Sequence, residues 1–175
     1  MSTFSLVNTN VERNTKDLVA KVRAKYEKYP RIVEPVLESI HCVSQQFLAA
    51  LGNHGNLDVA QMEDLIDLNQ GLLETLGVSH LSLRRIISIF AQYGELSQSI
   101  NYREPDTQLL LSSGLHGKLT GAGGGGFAFA LVPSSMGESA VEKVRDSLES
   151  GGFTVLRTKV GGRGVEVTLD AVQET

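Results

Sequence analysis

The chain has 175 residues, of which 41% are hydrophobic and 21% are charged, and this is the size and composition of one globular domain. Its net charge of −4 excludes the basic surface that general nucleic-acid binding requires. The longest apolar runs, such as residues 127–132, are too short to cross a bilayer, and the termini carry no recognisable targeting signal. We therefore expect a cytoplasmic protein without a nucleic-acid or membrane partner.

The first part of the chain is predicted to form one strand and then four helices. Residues 4–8 form a short apolar strand, and a domain that starts inside a strand is expected to belong to a longer chain. Asn14 is a candidate N-cap for a helix that ends before Pro30 and has an apolar face of Leu18, Val19, Val22 and Tyr26. The spacing of apolar residues predicts three further helices, at about 31–51, at 58–76, and from Ser79 or Ser82 towards Gly94.

Two features of these helices bear on chemistry. The single cysteine, Cys42, lies in an apolar helical stretch, and this predicts a small buried thiol. The third helix has a face of acidic residues without a balancing lysine or arginine, which is typical of a solvated face and indicates no metal role. These residues are Asp58, Glu63, Asp64, Asp67 and Glu74.

The second part of the chain changes towards strands. Residues 94–114 have weak periodicity and are predicted to form an exposed polar connector. Ser135–Glu138 has the pattern of a capping box that opens a helix. Strands are predicted at 115–120, 127–132, 153–160 and 164–169. Strands with helices packed on one side predict an α+β layer architecture in a single domain.

The most informative segment is residues 118–126, Lys-Leu-Thr-Gly-Ala-Gly-Gly-Gly-Gly, which lies between two predicted strands. No lysine follows its last glycine, as a P-loop requires, and no helix follows it, as a dinucleotide-binding loop requires. Consecutive glycines let backbone N–H groups approach a phosphate or another loop closely. A bulged hairpin connection is the alternative explanation. A side chain at Gly124 is expected to impair function while folding survives.

This nine-residue string resembles the third signature motif of GHMP kinases, in the form typical of mevalonate kinases. Residues 8–19, 65–70 and 76–80 are similar to other segments of the same C-terminal domain. The resemblance implies that residues 1–175 form a GHMP kinase C-terminal domain, with a ferredoxin-like antiparallel sheet, helices on one face and additional inserted helices. The N-terminal ATP-binding domain and its signature motifs are absent from this sequence.

The resemblance also implies a function, which is ATP- and Mg²⁺-dependent phosphorylation of mevalonate for isoprenoid and sterol precursors. It implies that Arg13 and Thr15 bind substrate and that the glycine motif lines the cleft. The motif residues are Thr120, Gly121, Ala122, Gly123, Gly124, Gly125 and Gly126. No catalytic residue, metal ligand or bound cofactor is assigned to this chain, which is expected to be inactive alone and to pair with the N-terminal half of the kinase or with a second copy.

Several alternatives stay open at the level of sequence. The complete enzyme could be a sibling kinase for phosphomevalonate or galactose, or the chain could be a non-catalytic module that pairs with another chain. Asn14 is explained by capping alone, and Lys118 is expected to be solvated at a strand end. His80 is expected to pack or to form a hydrogen bond beside a helix start. The remaining histidines, His41, His54 and His116, lack the spacing of metal ligands.

Overall fold

The computed structural model describes residues 3–52, 58–98, 115–133 and 136–159. In chain order the described elements are β1 (Thr3–Asn8), α1 (Thr15–Lys28), α2 (Pro30–Gly52), α3 (Val59–Leu76), α4 (Leu81–Gln98), β2 (His116–Leu119), β3 (Phe127–Val132), α5 (Glu138–Ser150) and β4 (Thr154–Lys159). The α+β class is therefore confirmed. The predicted strand at 164–169 lies outside the described residues.

The four strands form one antiparallel sheet in the order β2-β3-β1-β4. With α4 between β1 and β2 and α5 between β3 and β4, this is the ferredoxin-like order that the resemblance implied. The register places Leu6 of β1 beside Phe129 of β3 and beside Leu156 of β4. None of the described helices is long and apolar enough to cross a membrane.

One face of the sheet packs against α4 and α5. Leu83, Ile86 and Phe90 of α4 recur at helical spacing and are fully buried, as is Leu148 of α5. Phe90 lies directly over Gly117 of β2, where a Cβ atom would come within 2.5 Å of its ring. Burial of such a large apolar side chain contributes about 1.5–3 kcal/mol. This packing forms the main core.

The inserted helix α3 packs on the opposite face. Met62 and Ile66 of α3 form a second buried cluster with Leu131 of β3. At the sheet edge, the buried N–H of Leu119 in β2 donates a hydrogen bond of 3.0 Å to Oε1 of Gln70. Edge strands leave backbone N–H groups unpaired, and a further strand could bind them. Here the side-chain oxygen of Gln70 accepts the Leu119 N–H instead, so this buried group is satisfied. The additional helices thus cover part of the second face.

The acidic face of α3 is not wholly solvated: the prediction is wrong for Glu63, which is largely buried, whereas Asp67 is exposed but contacts the sheet. Nδ1 of the buried His116 in β2 lies 2.7 Å from Oδ2 of Asp67, and its Nε2 lies 4.0 Å from Oε2 of Glu63. Burial raises the pKa of Glu63 above its ordinary value, and the charge of His116 opposes this shift. These contacts attach α3 to the sheet.

Three local predictions differ from the structure. Helix α4 continues past Gly94 to Gln98, so the connector begins later than predicted. Helix α5 has Gly137 as its N-cap and lacks a side-chain cap, so the capping box is wrong. Cys42 is exposed instead of buried, because α2 turns that side of its surface outward. An apolar neighbourhood in sequence does not decide which side of a helix meets the core.

We expect Glu63→Gln to stabilise the fold at neutral pH. Because the folded state raises the pKa of Glu63, the ionised carboxylate opposes folding at pH 7, and this cost disappears below the ordinary value of 4.5, where the group is protonated in both states. Urea unfolding at several pH values should show a higher midpoint for the variant at pH 7 and a shrinking difference at low pH. Glu38→Gln, on the exposed surface of α2, is the matched control. A variant less stable than the parent at pH 7 would contradict this account of Glu63.

Candidate functional site

The glycine loop, residues 121–126, connects β2 to β3 and has an unusual backbone. Gly121, Gly123, Gly125 and Gly126 all have positive φ angles, of 68°, 78°, 124° and 81°. Residues with a Cβ atom rarely adopt such angles, so the glycines are required by conformation. Thr120 closes the base of the loop, because its backbone N–H and its hydroxyl both donate to the carbonyl oxygen of Phe127, at 2.9 Å and 3.0 Å.

The turn between α3 and α4 lies against one side of the loop. The N–H of His80 donates a hydrogen bond of 2.8 Å to the carbonyl oxygen of Gly123. A Cβ atom on Gly123 would overlap the carbonyl oxygen of Val78. His80 also accepts a hydrogen bond at Nδ1 from the N–H of Ser82, so its predicted role beside a helix start is confirmed. Sequence reasoning did not identify Val78 as a neighbour of the loop.

The segment that leads into α1 lies against the other side. The N–H of Thr9 donates to the carbonyl oxygen of Gly126 at 2.7 Å. A Cβ atom on Gly124 would lie 3.1 Å from the carbonyl oxygen of Asn14, and one on Gly125 would lie 2.8 Å from that of Val11. The close approach that the glycines predicted is therefore real, but these partners belong to this chain. For that reason we now expect a side chain at Gly124 to disturb folding as well as function.

The start of α1 brings the predicted substrate residues beside the loop. Asn14 is the N-cap as predicted, because its Oδ1 accepts the N–H of Asp17 at 3.2 Å. The guanidinium of Arg13 lies 5.6 Å from the ring centre of Phe127 and next to Gly126. Thr15 is the exposed first residue of α1. The structure thus brings Arg13 to the loop and places Thr15 at the adjacent helix terminus.

Several backbone N–H groups of the loop have no hydrogen-bond acceptor among the described residues. The N–H groups of residues 121–125 donate to no acceptor within the part of the chain that the structure describes. Successive unpaired N–H groups in a loop with alternating backbone angles favour an anion, and so does the N-terminus of a helix. Arg13 adds a full positive charge. The loop, the start of α1 and Arg13 therefore form a surface suited to carboxylate or phosphate oxygens.

An apolar groove of about 450 Å³ lies beside this surface. It is lined by the predicted apolar face of α1 together with Leu37 of α2 and Ala122 of the loop. That face is only partly covered: Leu18 and Val22 pack against the buried cluster of Val33, Leu76 and Val78, whereas Val19 is 59% exposed and α1 has no fully buried residue. Contiguous exposed apolar side chains mark a surface that binds another molecule or another part of a protein.

Lys118, the first residue of the motif, is not solvated, and that prediction is wrong. Its Nζ donates to the carbonyl oxygen of Leu119 at 3.1 Å and lies 5.5 Å from the ring centre of Phe129. Burial lowers the pKa of its ammonium group. It lies on the α3 side of the sheet, because the pleat places it beside Phe129 in the register.

The sheet order and the glycine loop held between two segments are consistent with a GHMP kinase C-terminal domain. A family model described as GHMP kinases C terminal matches residues 107–152. The particular relatives are mevalonate kinases. The chain is 37% identical to the mevalonate kinase of Homo sapiens over 93% of its own length, and 31% identical to that of Arabidopsis thaliana over the same share. It spans 37% and 38% of the lengths of these two proteins.

Solved structures share the fold. L. major mevalonate kinase in complex with R-mevalonate matches 85% of the chain with a TM-score of 0.63 at 21% identity, and 38% of its own length is covered. A Lin0012 protein from Listeria innocua matches 89% of the chain with a TM-score of 0.65 at 20% identity, again over 38% of its length. These structures show that the chain shares the fold, and the chain is similar in sequence to mevalonate kinases over about nine-tenths of its length.

We expect Gly123→Ala to destabilise the domain more than Gly121→Ala. Both positions have positive φ, so both variants incur about 1–2 kcal/mol of backbone strain. Only Gly123 is packed against the Val78 carbonyl, while a Cβ on Gly121 meets nothing within 4 Å. Overpacking should add about 1–3 kcal/mol at Gly123. Urea unfolding of both variants measures the difference, and equal losses would show that the loop is not held against the α3–α4 turn.

Proposed function

We propose that this chain supplies the C-terminal half of a mevalonate kinase, which transfers the γ-phosphoryl group of ATP to the 5-hydroxyl of mevalonate in isoprenoid and sterol-precursor synthesis. The observation that carries this proposal is the 37% identity to a mevalonate kinase over 93% of the chain. The anion-binding surface formed by the glycine loop and the start of α1 supports it, because mevalonate and ATP are both anions.

The proposed roles follow from the positions of the residues. Arg13 would pair with the carboxylate of mevalonate, and Thr15 would donate its hydroxyl to the same substrate from the first turn of α1. The continuous segment 120–126, which includes Thr120, Ala122 and the glycines, would form the wall of the cleft. Such chemistry depends mostly on positioning and charge stabilisation, so groups that orient the substrate contribute to the rate.

ATP and Mg²⁺ belong to the complete enzyme in this proposal. ATP supplies the phosphoryl group, and the ion neutralises charge on the phosphates. The unpaired N–H groups of the loop fit phosphate or carboxylate oxygens. Among residues 3–52, 58–98, 115–133 and 136–159, no cluster of three histidine, cysteine, aspartate or glutamate residues could hold a metal. In this proposal, the metal ligands and the catalytic base belong to the N-terminal half.

The groove beside the loop supports pairing with that half. Val19, Tyr26 and Leu37 line it and are 59%, 39% and 41% exposed, and covering them would remove apolar surface from water. The same surface also fits the rival proposals, which are a non-catalytic module that pairs with another chain and a homodimer. A sibling kinase for phosphomevalonate or galactose would use the same domain with a different N-terminal half.

The activity of the chain is tested alone and with its complement. We expect no mevalonate-dependent ADP release from the pure chain, because the phosphate loop and catalytic residues are outside it. Adding the separately produced N-terminal half of the human relative should restore turnover with mevalonate. Phosphomevalonate and galactose are the control substrates. Turnover by the chain alone, or restored turnover only with a control substrate, would contradict the proposal.

The role of Arg13 is tested in the same paired enzyme. We expect Arg13→Met to lower kcat/KM for mevalonate at least tenfold, about 1.4 kcal/mol, mainly through a higher KM. Lys16→Met, which removes an exposed charge one turn along the same helix start, is the control and should have little effect. Arg13→Lys should recover only part of the loss, because lysine lacks the bidentate geometry of arginine. If Arg13→Met and Lys16→Met behave alike, Arg13 is not a specific ligand.

A further inference from the structure

A second cavity lies between α2, α3 and the sheet. Its volume is about 380 Å³, within the range of small-molecule sites. Its walls are mostly aliphatic and aromatic, and they include Ile40 and Phe47 of α2, Leu65 of α3 and Phe129 of β3. An apolar ligand body would be removed from water here on three sides. The function proposed above makes no use of this cavity.

Three polar residues line this apolar cavity, and one of them, Ser44, already donates its hydroxyl to the carbonyl oxygen of Ile40. Lys118 is another, and it is the single cation among the residues that line the cavity. The described residues supply no carboxylate to Lys118, since its Nζ contacts only the Leu119 carbonyl oxygen and the Phe129 ring. A lysine ammonium has three donors, so two N–H groups remain for a ligand.

Asn69 of α3 is the third polar residue. Only 9% of the surface of this residue is exposed, but its carboxamide atoms are not fully enclosed, and they form no hydrogen bond with the residues that the structure describes. The amide nitrogen has two donors and the amide oxygen can accept, so both remain open to a molecule in the cavity. Asn69 and Lys118 line the same cavity, so one ligand in it can contact both groups.

We propose that this pocket, which we call the Lys118 pocket, binds a small monocarboxylate with an extended apolar tail. The carboxylate receives hydrogen bonds from the Lys118 ammonium and the Asn69 amide, and the tail lies among Ile40, Phe47 and Leu65. A single cation balances one negative charge, so a monocarboxylate fits better than a doubly charged phosphate. The lysine already bears a desolvation cost, which a bound anion would offset.

The pocket also touches the glycine loop. Gly121, the first glycine, lines both the Lys118 pocket and the groove beside α1. A ligand in the pocket would therefore contact the same loop that carries the proposed substrate site. Binding to the pocket itself does not depend on the kinase proposal, because all its walls belong to this chain.

Calorimetric titration with decanoate and with decanol tests the pocket in the full 175-residue chain. The two probes share an apolar tail and differ in charge. We expect decanoate to bind saturably and at least tenfold more tightly than decanol. Lys118→Met should weaken decanoate binding at least tenfold and leave decanol unchanged, while Lys118→Arg should keep the preference. Lys143→Met, the same change on the exposed surface of α5, should match the parent.

A second measurement keeps the test valid if Lys118→Met fails to fold. In the unsubstituted chain with ¹³C-labelled lysine, the Lys118 side-chain resonance should shift saturably with decanoate and not with decanol. The proposal is overturned if decanoate does not bind, if decanol binds equally well, or if the Lys118 resonance does not respond. Unchanged decanoate affinity in a folded Lys118→Met variant would overturn it as well. Loss of kinase activity would leave these results unaffected, so failure of the two proposals can be told apart.

Discussion

The candidate site depends on the packing of the glycine loop. The loop contacts the start of α1 on one side and the α3–α4 turn on the other. Backbone meets backbone here, because the Gly123 carbonyl accepts the His80 N–H while Gly124 and Gly125 lie against Asn14 and Val11. Such distances leave no space for side chains. Three segments far apart in sequence are thereby held at one place, and this brings Arg13 next to Gly126 of the loop.

The arrangement relies on the attachment of α3 to the sheet. Its apolar side packs on β3, and two polar contacts, from Gln70 to the Leu119 N–H and from Asp67 to His116, join it to the edge strand β2. Since β2 leads into the glycine loop and α3 leads into the turn that contacts it, one interface positions both partners. A buried polar contact restricts orientation more than an apolar one does, because hydrogen bonds depend on direction. The site is thus supported by the inserted helix as much as by the ferredoxin-like unit.

The apolar residues of the domain differ in how far they are buried. Leu83, Ile86 and Phe90 are fully buried in the core, whereas Val19 and Tyr26 of α1 remain exposed beside the loop. The chain spans less than two-fifths of the length of its human and plant relatives, and the exposed face lies where a further part of a kinase would pack in the proposed function. The Lys118 pocket is different again, because it combines apolar walls with a desolvated charge.

Local pattern in the sequence determined much of this protein. Helical spacing and alternation placed the described strands and helices within a few residues, Asn14 was identified as a cap, and the glycine string indicated a close backbone approach and the family. Tertiary structure alone decided what the glycines approach, which side of α2 and α3 is buried, and where Lys118 and Cys42 lie. The physical reason is that periodicity encodes how polar each side of an element is, whereas burial depends on which element packs against it. His116 meets Asp67 across 49 positions of sequence, a contact that no local spacing contains.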